Sequence, residues 1–279
     1  MKRYNRTEIS NKWEEVKKDP DRIYHNGQEM LNYTGKLMDA DLPYTEYISE
    51  LIIKDFSILK SIGKDNTIIR KTKSFSCNHT GISNDYRRQE RFGHTYLNEK
   101  PFAIALFNSN YGFPFGKILD YEIPLSENKS SKIGEIDLIS KNGNDIYLIE
   151  LKMKTKETLL RAITEIFTFA IFLNKRKEKF QKDMRIDSIE NIFPTVLTFR
   201  ESYCETQLNE IIKNRYPKFR QLLVKMNEYL SSVGISSFKF FVIDANEPSL
   251  TKEKGGKTII KDNAFFKLEV IEYSPSTSA

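Results

Sequence analysis

The chain has 279 residues and a mass of 32.7 kDa, close to the largest size that one hydrophobic core serves. Apolar residues make up 39%, with 19 Phe and 14 Tyr against only 12 Gly and nine Pro, which excludes a disordered, collagen-like or linker-dominated chain. The 44 Lys and Arg outnumber the 38 Asp and Glu, giving a net charge of +6 that suits a polyanionic partner. Many lysine-rich proteins share that balance without binding nucleic acid, so charge alone decides little. The two cysteines, Cys77 and Cys204, cannot build a disulfide framework. The first residues, MKRYNRTEIS, lack the apolar core of a signal peptide, and the longest apolar run, IFTFAIFL at 166–173, is too short to cross a bilayer. A cytoplasmic protein without membrane association is expected.

In chain order, residues 7–18 read as a short helix around Trp13 and Val16, stopped by Asp19-Pro20. Residues 44–62 carry apolar side chains at helical spacing and end at Gly63. Residues 66–75 read as a strand, SCNHTGISND as a turn-rich stretch, and residues 85–100 as a helix capped by Asp85. Strands follow at 118–125, 133–140 and 145–153, the last two joined by KNGN, whose Asn142-Gly143 is a strong hairpin signal. A long helix spans 156–175, and NKRKEKFQKDMR is a charged helix end or loop. Then come the strand PTVLTF, helices at 206–214 and 217–231, and strands around FKFFVID and FFKLEVIEY. The order predicts an α/β protein with a mixed central β-sheet flanked by helices. We divide it into an N-terminal helical extension (1–85), a core (86–200) and a C-terminal α/β elaboration (201–279).

The informative stretch is IGEIDLISKNGNDIYLIELKMKTKETLLRAITEIF. Its second strand is apolar enough to be covered on both faces, yet Glu150 and Lys152 interrupt it. Burying such charges costs several kcal/mol unless they are paired or bind a metal. With Asn142-Gly143 as a two-residue turn, Glu135 lies opposite Glu150 and Asp137 opposite Leu148. Alternation then puts Glu135, Asp137, Glu150 and Lys152 on one face. Three carboxylates crowded there would repel one another unless a divalent cation sits between them, and hard oxygen donors suit Mg²⁺ or Mn²⁺.

This arrangement resembles the PD-(D/E)xK nuclease superfamily, the restriction-endonuclease-like fold, over about residues 87–173. Asp137 matches the first acid, and Glu150-Leu151-Lys152 matches E-x-K on the strand after the hairpin. Family members place a helix before the first strand, where Glu90 is the candidate acid, and another after E-x-K. The usual Pro before the first acid is absent here, where Gly-Glu-Ile precedes Asp137. Where some branches carry Gln and Tyr four residues apart on the following helix, this chain has Glu165 and Phe169, and no role is carried over. The resemblance implies Mg²⁺-dependent hydrolysis of phosphodiester bonds, with DNA the expected substrate and a homodimer left open. Asp137, Glu150 and the Leu151 carbonyl would hold the metal. Lys152 would orient or deprotonate the attacking water, and Glu90 or Glu135 would hold a second metal or position water. Arg161, Arg87 and Arg88 would approach phosphates.

Competing readings have their own residues. An inactive nucleic-acid-binding or protein-interaction module on the same fold would keep the hairpin but not the chemistry. Cys77-Asn78-His79 is too short a set for zinc without further ligands. His25, His79 and His94 fit no catalytic pattern. No P-loop occurs, and Lys254-Gly255-Gly256-Lys257 reads as a turn. The basic groups at 175–177 and 213–220 read as solvated faces. Tyr216 and Phe219 serve core packing more readily than base stacking.

Overall fold

The computed structural model describes residues 3–64, 69, 72–77, 79–81, 99–109, 111–128, 133–153, 157–244, 250–252, 257–260 and 269–273. The expected helix at 85–100, and with it Arg87, Arg88, Glu90 and His94, lies outside them except for its last two residues.

Helix α1 (Arg6–Val16) begins in a capping box, in which the Asn5 side chain accepts from the Glu8 amide while the Glu8 carboxylate accepts from the Asn5 amide. Its buried face is Ile9, Trp13 and Val16. Two short helices follow, α2 (Ile23–Asn26) and α3 (Gln28–Leu31), and then α4 (Tyr44–Lys54). The expected helix at 44–62 stops early, at Asp55, and resumes only as a 3-10 turn at Leu59–Ser61. An acidic residue is unfavourable in a helix's last turn. Here Asp55 accepts from Trp13 Nε1 at 2.8 Å and pairs with Lys17 Nζ at 2.9 Å, tying the end of α4 to α1.

The centre is a six-stranded mixed sheet in the order β1 (Lys117–Pro124), β2 (Glu135–Asn142), β3 (Asp145–Lys152), β4 (Asn191–Phe199), β5 (Lys239–Asp244) and β8 (Glu269–Tyr273). The β1–β2, β2–β3 and β5–β8 pairs are antiparallel, whereas β3–β4 and β4–β5 are parallel. The parallel pairs need crossovers: α6 (Leu159–Asn174) and α7 (Lys177–Asp183) join β3 to β4, and α8 (Tyr203–Ile212) and α9 (Pro217–Ser232) join β4 to β5. Helix α5 (Glu99–Phe107) precedes β1, and β6 (Leu250–Lys252) with β7 (Thr258–Ile260) forms a separate antiparallel pair, two strands that the sequence did not suggest. The α/β architecture with a mixed, helix-flanked sheet and an N-terminal helical region is as expected.

Strand β3 divides two apolar layers. Ile146 and Leu148 join the larger cluster, with the N-terminal helices, α6 and α9. Tyr147, Ile149 and Leu151 join the smaller one, with α5 and the β6–β7 pair. Helix α6 is buried on every side except at Arg161 and Asn174, which explains the long apolar run in its sequence.

Two expectations are corrected. The hairpin pairs Asn142 with Asp145, Ile139 with Leu148 and Leu138 with Ile149, so the loop is Gly143-Asn144 and not Asn142-Gly143. Gly143 takes φ 59° at the first loop position, where a type II′ turn requires glycine. The register therefore differs by two residues from the one expected, with Asp137 rather than Glu135 brought towards Glu150. An even shift leaves each side chain on its expected face. Residues 72–77 form no strand. Among the described residues of 66–75, Ile69 makes a single bridge to Ser126. Side chains hold this segment instead: the Glu127 carboxylate accepts from the Thr72 and Lys73 amides, and Asp183 Oδ2 accepts from the Phe75 amide at 3.0 Å.

Gly134 sits at φ 86°, where a Cβ would press on the Tyr24 hydroxyl and lie 2.9 Å from Phe169 Cζ. At Gly35, with φ 91°, a Cβ would meet nothing within 4 Å. Gly134→Ala should therefore cost about 2–4 kcal/mol, and Gly35→Ala only the conformational strain of about 1 kcal/mol. Denaturant midpoints of the two variants check the difference.

Candidate active site

The site lies where β3 ends and the two layers meet. Glu150 and Lys152, which continue the face of Ile146 and Leu148, are 3% and 2% exposed. Lys152 Nζ is 2.7 Å from Glu150 Oε1, 3.1 Å from Glu157 Oε2 and 3.4 Å from Glu99 Oε1. Across the hairpin, Asp137 Oδ2 accepts from the Leu151 amide at 2.8 Å, which fixes that carboxyl beside the E-x-K segment. The Lys152 carbonyl accepts from Thr198 Oγ1 at 3.0 Å, and the Thr198 hydroxyl lies 2.9 Å from that of Ser202, so β4 braces the strand end.

Helix α6 closes the site from one side. Thr158 caps it, its hydroxyl accepting from the Arg161 amide at 3.2 Å. Its first turns present Arg161 and Glu165 inward. The Arg161 guanidinium is paired with Glu157 through Nη1, and its Nε lies 3.9 Å from Glu165 Oε2. Helix α5 contributes Glu99 from the other side.

Five carboxyl groups (Glu99, Asp137, Glu150, Glu157, Glu165) thus surround two cations, Lys152 and Arg161. Full ionisation would leave an excess of negative charge in a region of low dielectric. Burial, reinforced by the charge of Glu150, raises Asp137 well above the carboxylate range, and burial reinforced by Glu165 does the same to Glu150. Burial raises Glu165 against the pull of Lys152 and Arg161. Glu99 is pushed up by burial to about 7, despite Lys152. In Glu157 burial also acts upward, but Lys152 and Arg161 outweigh it and leave the group below its ordinary value. Burial disfavours the Lys152 ammonium, yet Glu150, Glu99 and Glu165 together hold it well above the usual lysine value. It stays charged.

A divalent cation was expected from the resemblance, and the donor set fits one in kind. All five acids offer hard oxygens, and Glu150 Oε2 and Glu165 Oε2 are buried without a hydrogen-bond partner. Their oxygens are not gathered, however. Among the described residues, the one trio of potential ligands lying within 4.8 Å of one another is Cys77, His79 and Asp120. In the acidic cluster the Lys152 ammonium takes the place beside Glu150 that the expectation gave to a metal.

The structure brings together Asp137, Glu150, Leu151, Lys152 and Arg161. Glu135 stands apart from the ion pairs and lines a cavity of about 590 Å³, together with Tyr24, His25, Lys73, Arg161 and Glu165. Glu90, Arg87 and Arg88 lie outside the described residues. Glu99, Glu157 and Glu165 carried no role in the sequence reading. For Glu165 the signal was the one acid within 159–174, a stretch dominated by buried apolar side chains. Of the aromatic pair considered for base stacking, Phe219 is fully buried in the core. Compared with protein families, curated proteins and solved structures, the chain matches none. No described helix is long and apolar enough to cross a membrane.

The raised carboxyls make stability pH-dependent. A folded value above the unfolded one means that the folded state holds the extra proton, so stability is lost as pH rises through the folded value. For Glu99 the window runs from its ordinary 4.5 to about 7. The melting temperature of chelator-treated protein should fall between about pH 4.5 and about pH 7, and Glu99→Gln should flatten the fall. At the upper end Asp137→Asn should raise it by about 2–4 °C by removing a carboxylate penalised first by burial and then by the Glu150 charge.

Proposed function

We propose that this chain is a Mg²⁺-dependent nuclease of PD-(D/E)xK type that hydrolyses phosphodiester bonds of DNA in the cytoplasm. The observation that carries the proposal is the buried Glu150–Lys152 pair at the end of a central strand, with Asp137 anchored beside it across a hairpin. Charges of this kind are seldom buried for packing alone. The surrounding order also supports the reading: a helix before the strands, the acid, the hairpin, E-x-K and a capped helix after it.

Asp137, Glu150 and the Leu151 carbonyl would hold Mg²⁺ or Mn²⁺, which supplies Lewis-acid polarisation of the phosphate and a more acidic bound water. Lys152, protonated as it stands, acts as a donor that offsets charge developing on the scissile phosphate rather than as a base. Glu99, its carboxyl pushed up by burial to about 7, is placed to accept or return a proton close to neutral pH. Arg161 and Lys73 on the wall of the 590 Å³ cavity give phosphates a cationic approach.

A second reading, a nucleic-acid-binding module without chemistry, is favoured by one observation: Lys152 engages Glu150 at 2.7 Å, where a metal ligand is needed. A cleavage assay separates the two. Single- and double-stranded DNA, and RNA as a comparison, should be cut with Mg²⁺ or Mn²⁺ and left intact with chelator. Asp137→Asn and Lys152→Gln should each lower the rate at least about 10²-fold with unchanged circular dichroism. Cleavage surviving in both folded variants, or binding without cleavage in the parent chain, overturns the nuclease assignment.

A further inference from the structure

We propose that Cys77, His79 and Asp120 form a metal centre for Zn²⁺ that shares no ligand with the acidic cluster and does not depend on the nuclease reading. The chain contains only two cysteines and three histidines. The fold takes one of each from a single loop and sets them around a carboxylate on β1. One ring nitrogen of His79, the Cys77 sulfur and one Asp120 oxygen lie within 4.8 Å of one another.

The carboxylate is built into place. Asp120 is 2% exposed; its Oδ2 accepts from the Cys77 amide at 3.0 Å and its Oδ1 from its neighbour Tyr121's amide at 2.9 Å. His79 Nδ1 lies 2.8 Å from Asp120 Oδ1, and the His79 ring stacks on Tyr121 with centroids 4.1 Å apart and planes 19° from parallel. Both ligands of the loop are thereby oriented by β1. In a tetrahedral zinc site, bond lengths of about 2.0–2.3 Å put neighbouring ligand atoms about 3.3–3.7 Å apart. The imidazole–carboxylate hydrogen bond at 2.8 Å would open by about half an ångström to admit the ion, and the thiol, whose sulfur faces the Phe75 carbonyl at 3.7 Å, would turn towards it.

The donor set names the ion. A thiolate, an imidazole and a carboxylate form a borderline-soft set that suits Zn²⁺, and Mg²⁺ would not choose sulfur. The sequence alone could not complete it, because Asp120 stands 41 residues after His79. Such a centre would clamp the segment 72–81 onto β1. That segment carries Lys73 on the cavity wall, seats Phe75 against Phe180 at 5.8 Å between centroids, and ends where Asn108 Nδ2 donates to the Gly81 carbonyl at 2.8 Å. The metal would thus hold one wall of the cavity.

The test uses Co²⁺ as a spectroscopic stand-in on the full chain after chelator treatment. About one equivalent should bind with a thiolate-to-cobalt charge-transfer band in the near ultraviolet and the visible bands of a tetrahedral ion. Zn²⁺ should displace both signals, and excess Mg²⁺ should displace neither. Cys77→Ser should abolish the thiolate band, while His79→Gln and Asp120→Asn should weaken Co²⁺ binding at least about tenfold. Cys204→Ser should change nothing. Cys77 is half-buried whereas Asp120 is fully buried, so the serine variant keeps the fold even if Asp120→Asn does not. Absence of the thiolate band in the parent chain overturns the proposal. So does a band that persists in Cys77→Ser or disappears in Cys204→Ser.

Discussion

A single buried ammonium organises the centre of this protein. Lys152 sits at the end of a strand covered on both faces, and its charge is stabilised only because Glu150, Glu157 and Glu99 converge on it from β3, the β3–α6 connection and α5. In a low dielectric each of those interactions is strong, and so is the penalty for leaving any of them out. Burial first, and mutual repulsion after it, raises the proton affinities of Asp137, Glu150 and Glu99, while Glu157, held by Lys152 and Arg161, stays below its ordinary value. Lysine holds together a set of carboxyls that would otherwise separate or neutralise, and the hairpin, the capped helix and the brace from β4 all serve to keep that set in place.

The hairpin itself was legible in the sequence because its signals are local. The Asn-Gly pair and the apolar run of β3, broken only by Glu150 and Lys152, need no knowledge of distant residues. The register was displaced by two because glycine, rather than asparagine, takes the first loop position. The predicted face survived because side-chain direction depends only on whether the shift is odd or even. The early end of α4 was not legible: it depends on Asp55 meeting Trp13 and Lys17, partners 42 and 38 residues away.

Site membership divided in the same way. Asp137, Glu150 and Lys152 stood out as charges within apolar strands, a contrast visible over a few residues. Glu99 and Glu157 lie near helix starts, where acids are common and exert a favourable effect on the helix dipole. Nothing in their neighbourhood distinguishes them from ordinary surface residues. Glu165 was visible as an anomaly, but its purpose depends on how α6 rolls against β3. Asp120 is the clearest case of what spacing hides, since its partners reach it from a loop that the sequence suggested was a strand followed by a turn.

The position of β3 in the sheet has a further consequence for motion. With β2 and β4 as neighbours it has no free edge, and its backbone amides should be among the slowest in the molecule to exchange with solvent. Fraying, which starts at sheet edges and chain ends, reaches β1 and β8 first. The Glu150–Lys152 pair therefore keeps its geometry through openings that release the periphery, and it loses that geometry only when the whole domain lets go.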